Sequence, residues 1–324
     1  MASRQLHQNA LVTGGAGVIG SAMAKRLLSN HDVIVIDDLS SGSMEHLSQV
    51  QKEPNFLFRK GDVRKLTELT RVMDEVNVVF HFAANADVRF RPDKATDVDL
   101  KTGTIGTYNV LESMRIKDAS EIVFSSSSTV YGTPTIIPTP EDYGPLMPES
   151  LYGASKLACE GLISAFASTY GIKAWIYRFA NIVGTQSRII GKNVIPEFIE
   201  KLRINKRSLR ILGDGEQTKS YLYIDDCIDG MLALMKDGNH NVALYNLGSA
   251  DTINVKGIAD IIVDEMGLKN VEYSYTGGTK GWKGDIPLMF LDVSRAEKQG
   301  WKSTNDSKSA VRLSARALLR NSCL

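Results

Sequence analysis

The sequence of 324 residues lacks the features that mark membrane, secreted or nucleic-acid-binding proteins. Its 38 basic and 37 acidic residues leave a formal net charge of +1, so electrostatics give no reason to expect nucleic acid or an anionic membrane as a partner. No apolar run approaches the roughly 18 residues that a membrane span requires. The N-terminal apolar run is too short for a signal peptide, and we therefore expect a cytoplasmic protein.

Cysteine is also scarce. The three cysteines, Cys159, Cys227 and Cys323, are odd in number and far apart, which fits neither a disulfide framework nor a metal site. We expect them to be small buried or free thiols in a reducing compartment. No repeat of solenoid period and no low-complexity segment is visible. The length then suits one large α/β unit with a second lobe.

The first half of the chain alternates short β-branched runs with helix-like segments. The runs are ALVT (10–13), VIVID (33–37), FLFRKGD (56–62), NVVFHFA (77–83), EIVFSSS (121–127) and KAWIYRF (173–179). This order predicts right-handed βαβ units and a parallel sheet covered on both faces, that is, an α/β fold of the Rossmann-type doubly wound class. After about residue 179 the alternation stops, which predicts a second, smaller α/β lobe that closes over the carboxyl edge of the sheet.

A glycine-rich loop follows the first run. Gly14, Gly17 and Gly20 lie between a predicted strand and a predicted helix. The first glycine allows a tight turn, the second lets a diphosphate approach the backbone, and the third lets helix and strand pack closely. Such a loop by itself is also found as a plain βα turn. Its place between the first strand and a helix favours a dinucleotide site.

Acidic residues end the next two runs. Asp37 comes twenty residues after Gly17, where a carboxylate accepts both ribose hydroxyls and repels a 2′-phosphate. Asp38 follows it and no arginine is close in sequence, so the pattern favours NAD over NADP. Asp62 closes the third run, where it could reach adenine or simply form a turn.

A second set of residues suggests catalysis. Tyr152 and Lys156 are four residues apart on a predicted helix, so their side chains lie on one face. An exposed pair of this kind would be worth only a few tenths of a kcal/mol. Oxidation of a carbinol by hydride transfer, however, needs a base, and a nearby ammonium group and a positive nicotinamide ring would lower the phenol's pKa from about 10. Ser127, at the end of the fifth run, would orient the substrate hydroxyl and share the proton.

Taken together, these motifs resemble the extended short-chain dehydrogenase/reductases, specifically the nucleotide-sugar epimerases and dehydratases. The segments TGGAGVIGS, DDLSSG, GDV, HFAA, SSSSTVYG, YGASK, YRFANIVG and GWKGD occur in the family's order over nearly the whole chain. Within the family the sequence is most similar to UDP-glucose (UDP-galactose) 4-epimerases of archaeal type. The resemblance implies a tightly held NAD that removes a hydride from C4 of the sugar and returns it to the other face.

The resemblance also implies roles for individual residues. The catalytic residues would be Ser127, Tyr152 as the base, and Lys156. NAD would be bound by Gly14, Gly17, Val18, Ile19, Asp37, Asp38, Ser40, Gly42, Asp62, Val63, Phe82, Ala83, Ala84, Tyr152 and Lys156. The UDP-sugar would be bound by Asn85, Val88, Ser127, Tyr152, Asn181, Val194, Lys219 and Asp285. For Asn85 and Val88 an ordinary loop role is equally open, and no metal is expected.

Departures from the family pattern reduce the number of reactions expected for this chain. The dehydratase subgroup has an Asp–Glu pair directly after its catalytic Thr, and the decarboxylase subgroup has a Glu in the same region. This chain has Ser128 and Thr129 there, and without a carboxylate to take a C5 proton or eliminate water, epimerisation is favoured. Lys219, and Trp282 with Lys283, stand where two arginines commonly clamp the diphosphate, and lysine lacks the bidentate grip of arginine.

Three functions stay open on the sequence alone. The first is a nucleotide-sugar 4-epimerase with retained NAD. The second is a related epimerase (including one for UDP-N-acetylhexosamines), a reductase, a dehydrogenase or a decarboxylase of a sugar nucleotide. The third is a non-catalytic dinucleotide-binding protein, which is disfavoured because Ser127, Tyr152 and Lys156 are all present.

The resemblance also implies an organisation of the chain. An NAD-binding Rossmann domain would span residues 1–178 together with about 222–250. A nucleotide-sugar-binding lobe would span 179–221 and 251–324. A homodimer would form through the helices near 95–115 and 152–170.

Overall fold

The computed structural model describes residues 8–85, 87, 95–184, 193–236, 240–282 and 284–321. Its strands are β1 (Gln8–Thr13), β2 (His31–Asp37), β3 (Phe56–Lys60), β4 (Val78–His81), β5 (Glu121–Ser127), β6 (Lys173–Phe179), β7 (Asn181–Val183), β8 (Ser208–Ile211), β9 (Thr218–Lys219), β10 (Tyr221–Tyr223), β11 (Val242–Leu247), β12 (Ile253–Asn254), β13 (Glu272–Tyr275) and β14 (Leu288–Met289). Its helices are α1 (Val18–Leu27), α2 (Leu66–Val72), α3 (Gly106–Lys117), α4 (Leu151–Tyr170), α5 (Val194–Ile204), α6 (Ile224–Leu234), α7 (Val255–Glu265), α8 (Ser294–Lys298) and α9 (Ser307–Asn321). Short 3₁₀ segments span Met44–Leu47 and Ser128–Tyr131, and a π-helical turn, Leu100–Ile105, leads directly into α3.

A parallel sheet forms the centre of the fold. Among the described residues it has seven strands in the order β11-β6-β5-β4-β1-β2-β3, and all neighbouring strands run parallel. The chain winds outward in both directions from the boundary between β1 and β4, so their carboxyl ends open a crevice of the kind that binds ligands. The Rossmann-type class predicted from the sequence is confirmed.

The apolar runs form the strands of this sheet at their predicted places, from β1 to β6. β11, on the edge beside β6, was not identified as a strand from the sequence. It lies beyond residue 179, where the regular alternation has ended, and only the tertiary fold brings it back to the sheet.

Both faces of the sheet are covered, which explains why the strands are apolar throughout. Alternate residues of one strand point to opposite faces, so Val12 of β1 lies in one apolar cluster and Leu11 in the other. Helices α1 and α6 cover the first face, while α2, α3 and α4 cover the second. The helix that carries Tyr152 and Lys156 is therefore packed directly on the sheet.

A third apolar cluster belongs to the smaller lobe. It is built mainly from α5, α7 and α9 and from short strands that pair outside the central sheet. The side chain of Asn254 caps α7 by accepting a hydrogen bond from Gly257 N at 2.8 Å. The domain boundaries given above stay a prediction. None of the helices in the described residues is long and apolar enough to cross a membrane.

Local signals fix the ends of α4. The Ser150 hydroxyl accepts a hydrogen bond from Gly153 N at 3.0 Å, and the helix ends at Gly171, whose φ of +73° favours glycine. The start of α4 lies at the carboxyl edge of the sheet. This places Tyr152 in the first turn, and Lys156 one turn further on, near the end of β5.

Candidate active site

One pocket at the carboxyl edge of the sheet contains every residue that the sequence predicted for NAD binding. The pocket is lined by Gly14, Gly17, Val18, Ile19, Asp37, Asp38, Ser40, Gly42, Asp62, Val63, Phe82, Ala83, Ala84, Tyr152 and Lys156, among others. These residues come from the ends of β1, β2, β3 and β4 and from α1 and α4. The structure therefore brings Tyr152 and Lys156 of the predicted catalytic set into the same cavity as the predicted dinucleotide-binding residues.

The glycine loop has the shape that a diphosphate requires. Gly14 has a φ of +66°, and a Cβ there would lie 2.7 Å from Ala83 N. A Cβ at Gly20 would overlap the Gly14 carbonyl oxygen, whereas a Cβ at Gly17 would meet only that oxygen, at 3.1 Å. Gly17 also caps α1 without a side-chain hydrogen bond, so the first N–H groups of the helix face the pocket. The residues present fit a dinucleotide.

Asp37 is held in place by the backbone. Its carboxylate accepts hydrogen bonds from Ala16 N at 3.0 Å and from Leu39 N at 2.8 Å. Burial, opposed by these two hydrogen bonds, raises the pKa of Asp37, and neighbouring Asp38 adds to this. Each carboxylate oxygen still has acceptor capacity, so binding of ribose hydroxyls by Asp37 stays a sound prediction.

Asp62 has a partner that the sequence reasoning missed. Arg64 grips its carboxylate, with Nε 2.9 Å from Oδ1 and Nη2 2.6 Å from Oδ2. The arginine lowers the pKa of Asp62. Asp62 thus both forms a turn and lies in the pocket wall, and the two roles considered for it are compatible.

The catalytic candidates meet at the end of β5. The Ser127 hydroxyl lies close enough to the Tyr152 phenol to lower its pKa as a hydrogen-bond donor. The Ser127 hydroxyl oxygen also accepts hydrogen bonds from Thr129 Oγ1 at 3.0 Å and Thr129 N at 3.2 Å. Because its oxygen is engaged by Thr129, the Ser127 proton is directed towards the phenol. Thr129 is therefore a positioning residue that the sequence had marked only for lacking a carboxylate.

Lys156 is buried behind the phenol. Its Nζ donates to Ser125 O at 2.5 Å and lies 5.7 Å from the centre of the Tyr152 ring and 4.6 Å from that of Phe124. Burial lowers the pKa of Lys156 to about 8. At neutral pH the group is still mostly charged, so it can bind a ribose hydroxyl and favour a phenolate.

The expected lowering of the Tyr152 pKa is not found in the chain itself. Although part of Tyr152 reaches the pocket surface, burial raises its pKa, the carboxylate of Asp99 raises it further, and only the hydrogen bond from Ser127 lowers it. Lys156 donates one of its three N–H groups to the Ser125 carbonyl. The sequence could not reveal Asp99, which is more than fifty residues from Tyr152 along the chain.

His81 has a structural role. Its Nδ1 lies 2.6 Å from Thr13 Oγ1 and its Nε2 lies 2.9 Å from Thr107 Oγ1, so the ring joins β1, β4 and α3. Complete burial, with Lys156 nearby, lowers the pKa of His81 to about 3. A neutral imidazole with both nitrogens engaged holds these elements together rather than moving a proton.

A second pocket contains four of the eight predicted substrate residues. Asn181, Val194, Lys219 and Asp285 line it. Ser128 and Thr129 line this second pocket, and Ser125 and Ser126 line the first. Ser127 therefore stands between the two pockets.

Two of the other predicted substrate residues, Asn85 and Tyr152, line the first pocket. The side-chain amide of Asn85 donates to Asp99 Oδ1 at 3.1 Å and to Asp87 O at 3.0 Å. This supports the loop-ordering role that was left open for it. Val88 lies outside the described residues.

An ion pair marks the second pocket. Lys219 Nζ lies 2.6 Å from Asp285 Oδ1 and 5.0 Å from the centre of the Trp282 ring, while Gly281 N donates to Asp285 Oδ2 at 3.0 Å. Asp285 is only 2% exposed. A lysine held between a buried carboxylate and an indole is fixed in direction. Lys283 lies outside the described residues.

A buried ion pair supports the catalytic strand and helix from behind. Arg178 Nη2 lies 2.7 Å from Glu160 Oε2, and Glu160 Oε1 accepts from Ser126 Oγ at 2.5 Å. Glu160 is four residues after Lys156, so the helical spacing could have placed it on the same face. Its partner on β6 could not be read from the sequence. In the described part of the chain, no three His, Cys, Asp or Glu side chains form a group that could hold a metal ion.

Comparisons with known proteins agree with this geometry. A family model described as the NAD dependent epimerase/dehydratase family matches residues 10–248. A provisionally named UDP-glucose 4-epimerase from Methanocaldococcus jannaschii is 35% identical over 93% of this chain and 95% of its own length. A crystal structure of a UDP-galactose 4-epimerase superposes with a TM-score of 0.86 at 35% identity, covering 97% of this chain and 99% of that one. UDP-glucuronic acid decarboxylase 1 from Arabidopsis thaliana is 30% identical over 89% of this chain and 64% of its own length.

Proposed function

Since this chain belongs to the NAD dependent epimerase/dehydratase family, we propose that it is a nucleotide-sugar 4-epimerase that interconverts UDP-glucose and UDP-galactose. NAD is its cofactor, as the family description says. The arrangement that carries the proposal is Ser127 next to Tyr152 and Lys156, at the point where the dinucleotide pocket and the second pocket meet.

The hydroxyl groups beside Ser127 favour epimerisation over the related reactions. Ser128 and Thr129 line the second pocket, on the side next to the catalytic pair. Neither can act as the carboxylate base that removal of a C5 proton requires. A sugar held there can lose and regain a hydride at a carbinol carbon, but it meets no carboxylate at these two positions that would drive elimination.

Tyr152 is the base and the acid of the proposed reaction. It takes the proton of the sugar C4 hydroxyl while Ser127 donates a hydrogen bond to the phenol oxygen, and it returns the proton after the hydride has been put back. Lys156, charged at neutral pH, stabilises the phenolate and binds the cofactor ribose. NAD, when bound, supplies the hydride acceptor and a positive ring that offsets the raised pKa of Tyr152.

The second pocket is where the UDP group would bind. Lys219 supplies the positive charge for the diphosphate, Asp285 accepts from the uridine ribose, and Asn181 contributes an exposed side chain on the same wall. Because Lys219 and Asp285 are paired with each other, both are already oriented before a ligand arrives. That orientation partly makes up for the missing bidentate grip of arginine.

The experiment is to incubate the purified protein with UDP-galactose or UDP-glucose and to separate the products. We expect the two sugars to interconvert without net release of NADH. We expect Tyr152→Phe to abolish the interconversion while NAD stays bound, because the phenyl ring keeps the packing and loses only the proton-carrying hydroxyl.

Two results would reject the proposal. Failure to interconvert any UDP-hexose, N-acetylated sugars included, would exclude a 4-epimerase. Steady accumulation of NADH, or release of carbon dioxide from UDP-glucuronic acid, would assign the chain to a dehydrogenase or to the decarboxylases, respectively.

We also propose a homodimer in the cytoplasm. Exposed apolar side chains lie on the π-helical turn, α3 and α4, which are the segments predicted to pair: Leu100, Ile105, Tyr108, Ile116, Leu151 and Tyr170. Such a patch is typical of an interface. Cys159 and Cys227 are free and buried, which suits a reducing compartment. Sedimentation at micromolar concentration would separate monomer from dimer.

A further inference from the structure

The π-helical turn and α4 touch at a point where one residue has no side chain. Gly103 lies within the turn and is buried, and a Cβ built on it would overlap the hydroxyl oxygen of Ser155. Ser155 comes from α4 and is only 7% exposed. Its hydroxyl therefore occupies the space that any other residue at position 103 would fill.

The hydroxyl of Ser155 makes two hydrogen bonds at this point. It donates to Asp99 O at 2.8 Å, and it lies 3.0 Å from Thr104 Oγ1. A serine has one hydroxyl proton, and Ser155 donates it in the hydrogen bond to the Asp99 carbonyl. The Thr104 hydroxyl is therefore the donor in the second bond. Two hydrogen bonds thus join α4 to the turn, and we call this set the Ser155 contact.

Both partners of the Ser155 contact bear on the active site. On α4, Ser155 directly precedes Lys156 and lies three residues after Tyr152. On the other side, the π-helical turn carries Thr102, which lines the cofactor pocket, and it follows Asp99, whose carboxylate holds the amide of Asn85. A shift of α4 against the turn would therefore move the catalytic pair relative to one wall of the pocket.

π-Helical turns are often found at functional sites, and a side chain that bonds to a backbone carbonyl gives that carbonyl a partner outside the regular helical hydrogen bonds. A displacement of about 1 Å in a catalytic group can reduce the rate about a hundredfold. A specific contact would therefore hold Lys156 in its catalytic position more exactly than apolar packing alone.

We propose that Ser155 is a positioning residue for Lys156 and Tyr152, and that Gly103 is its steric counterpart. The hydroxyl sets the spacing between α4 and the π-helical turn, and glycine at 103 leaves room for it. The inference rests on the proposed function for its kinetic readout, but the contact itself can be measured without any sugar substrate.

The test is a double-mutant cycle with matched controls. Ser155→Ala, Gly103→Ala and the double variant are compared with the parent protein. Ser164→Ala and Gly161→Ala are the controls, because both residues are exposed on α4 and a Cβ at Gly161 would meet nothing within 4 Å. For each protein we measure kcat and KM for the UDP-sugar, the dissociation constant for NAD, and the thermal unfolding midpoint.

We expect each single variant to lower kcat by about ten- to a hundredfold, with KM within about twofold, and to weaken NAD binding several-fold. In Ser155→Ala the Asp99 carbonyl loses its donor. In Gly103→Ala the new methyl group pushes the hydroxyl away. In the double variant the methyl group introduced at position 103 fills the space of the lost hydroxyl, so the loss in kcat should be smaller than the product of the single losses. The control variants should match the parent in kcat, KM and NAD affinity, while Gly161→Ala should unfold at a slightly higher temperature because alanine favours the helix.

Several outcomes would overturn the proposal. One is a Ser155→Ala variant that keeps kcat and NAD affinity within twofold, even if its unfolding midpoint falls, because the contact would then be merely structural. Strictly multiplicative losses in the double variant would show that the two residues do not act through one contact. If Ser155→Ala does not fold, the double variant must recover folding and NAD binding, and its failure to do so would count against the proposal. If the parent interconverts no UDP-hexose, the proposed function fails, while NAD affinity and unfolding midpoints still decide the role of the Ser155 contact.

Discussion

Replacing Lys156 with methionine should raise the free energy of unfolding at neutral pH and should also inactivate the site. Lys156 is 3% exposed, and burial lowers its pKa from 10.5 to about 8. Methionine keeps an unbranched apolar chain of similar length but carries no charge. The variant therefore removes the cost of burying an ammonium group, together with the hydrogen bond to Ser125 O.

The magnitude follows from proton linkage. Between pH 8 and 10.5 the unfolded chain binds the Lys156 proton more tightly than the folded one, so the free energy of unfolding rises with pH in that window. The shift corresponds to about 3 kcal/mol of destabilisation at pH 7, of which about 2 kcal/mol is relieved by pH 9.5. The parent protein gains this amount on raising the pH, and Lys156→Met does not.

The assay is urea unfolding of the nucleotide-free protein at a series of pH values. We expect the difference in unfolding free energy between Lys156→Met and the parent to shrink by about 2 kcal/mol from pH 7 to 9.5. Lys173→Met is the matched control, because Lys173 has an exposed side chain at the start of β6. Its pH profile should run parallel to that of the parent. Parallel profiles for Lys156→Met would refute the reasoning, since they would mean that Lys156 titrates alike in the folded and unfolded states.

Three further perturbations probe other parts of the site. Lys219→Met should raise KM for the UDP-sugar about tenfold with little change in kcat, because Asp285 and the diphosphate lose their cation. A changed kcat with constant KM would contradict this prediction. Asp37→Asn should weaken NAD binding about tenfold or more, as measured by calorimetry. The asparagine amide has only one acceptor oxygen for the two backbone N–H groups that the carboxylate now binds. Unchanged NAD affinity would disprove a cofactor role for Asp37. Glu160→Gln should lower the free energy of unfolding in urea by about 3–5 kcal/mol, because it leaves the buried Arg178 without its counter-charge. A loss below about 1 kcal/mol would show that the ion pair is solvated.

The alternation of runs was enough to predict the central sheet. Strands β1 to β6 have local signals in β-branched composition and bounding turn residues, and each was found where the sequence placed it. The edge strand β11 was not identified as a strand because its neighbour β6 is more than sixty residues away in sequence, although the resemblance assigned about 222–250 to the same domain. The caps of α4 and α7, Ser150 and Asn254, are local signals that lie within three residues of the N–H groups they bind.

The site shows the same division in finer detail. The sequence alone determined the glycine loop, Asp37, and the four-residue spacing of Tyr152 and Lys156, because each depends on a short stretch of chain with a regular geometry. Only the tertiary structure decided which groups surround them: Thr129 orienting Ser127, Asp99 raising the pKa of Tyr152, and Lys219 paired with Asp285. Burial and contacts between distant segments set these properties, and no local pattern encodes them. The sequence thus determined which residues can move a proton and which can bind a dinucleotide. The packing of α4 on the sheet decided the pKa values of Tyr152 and Lys156.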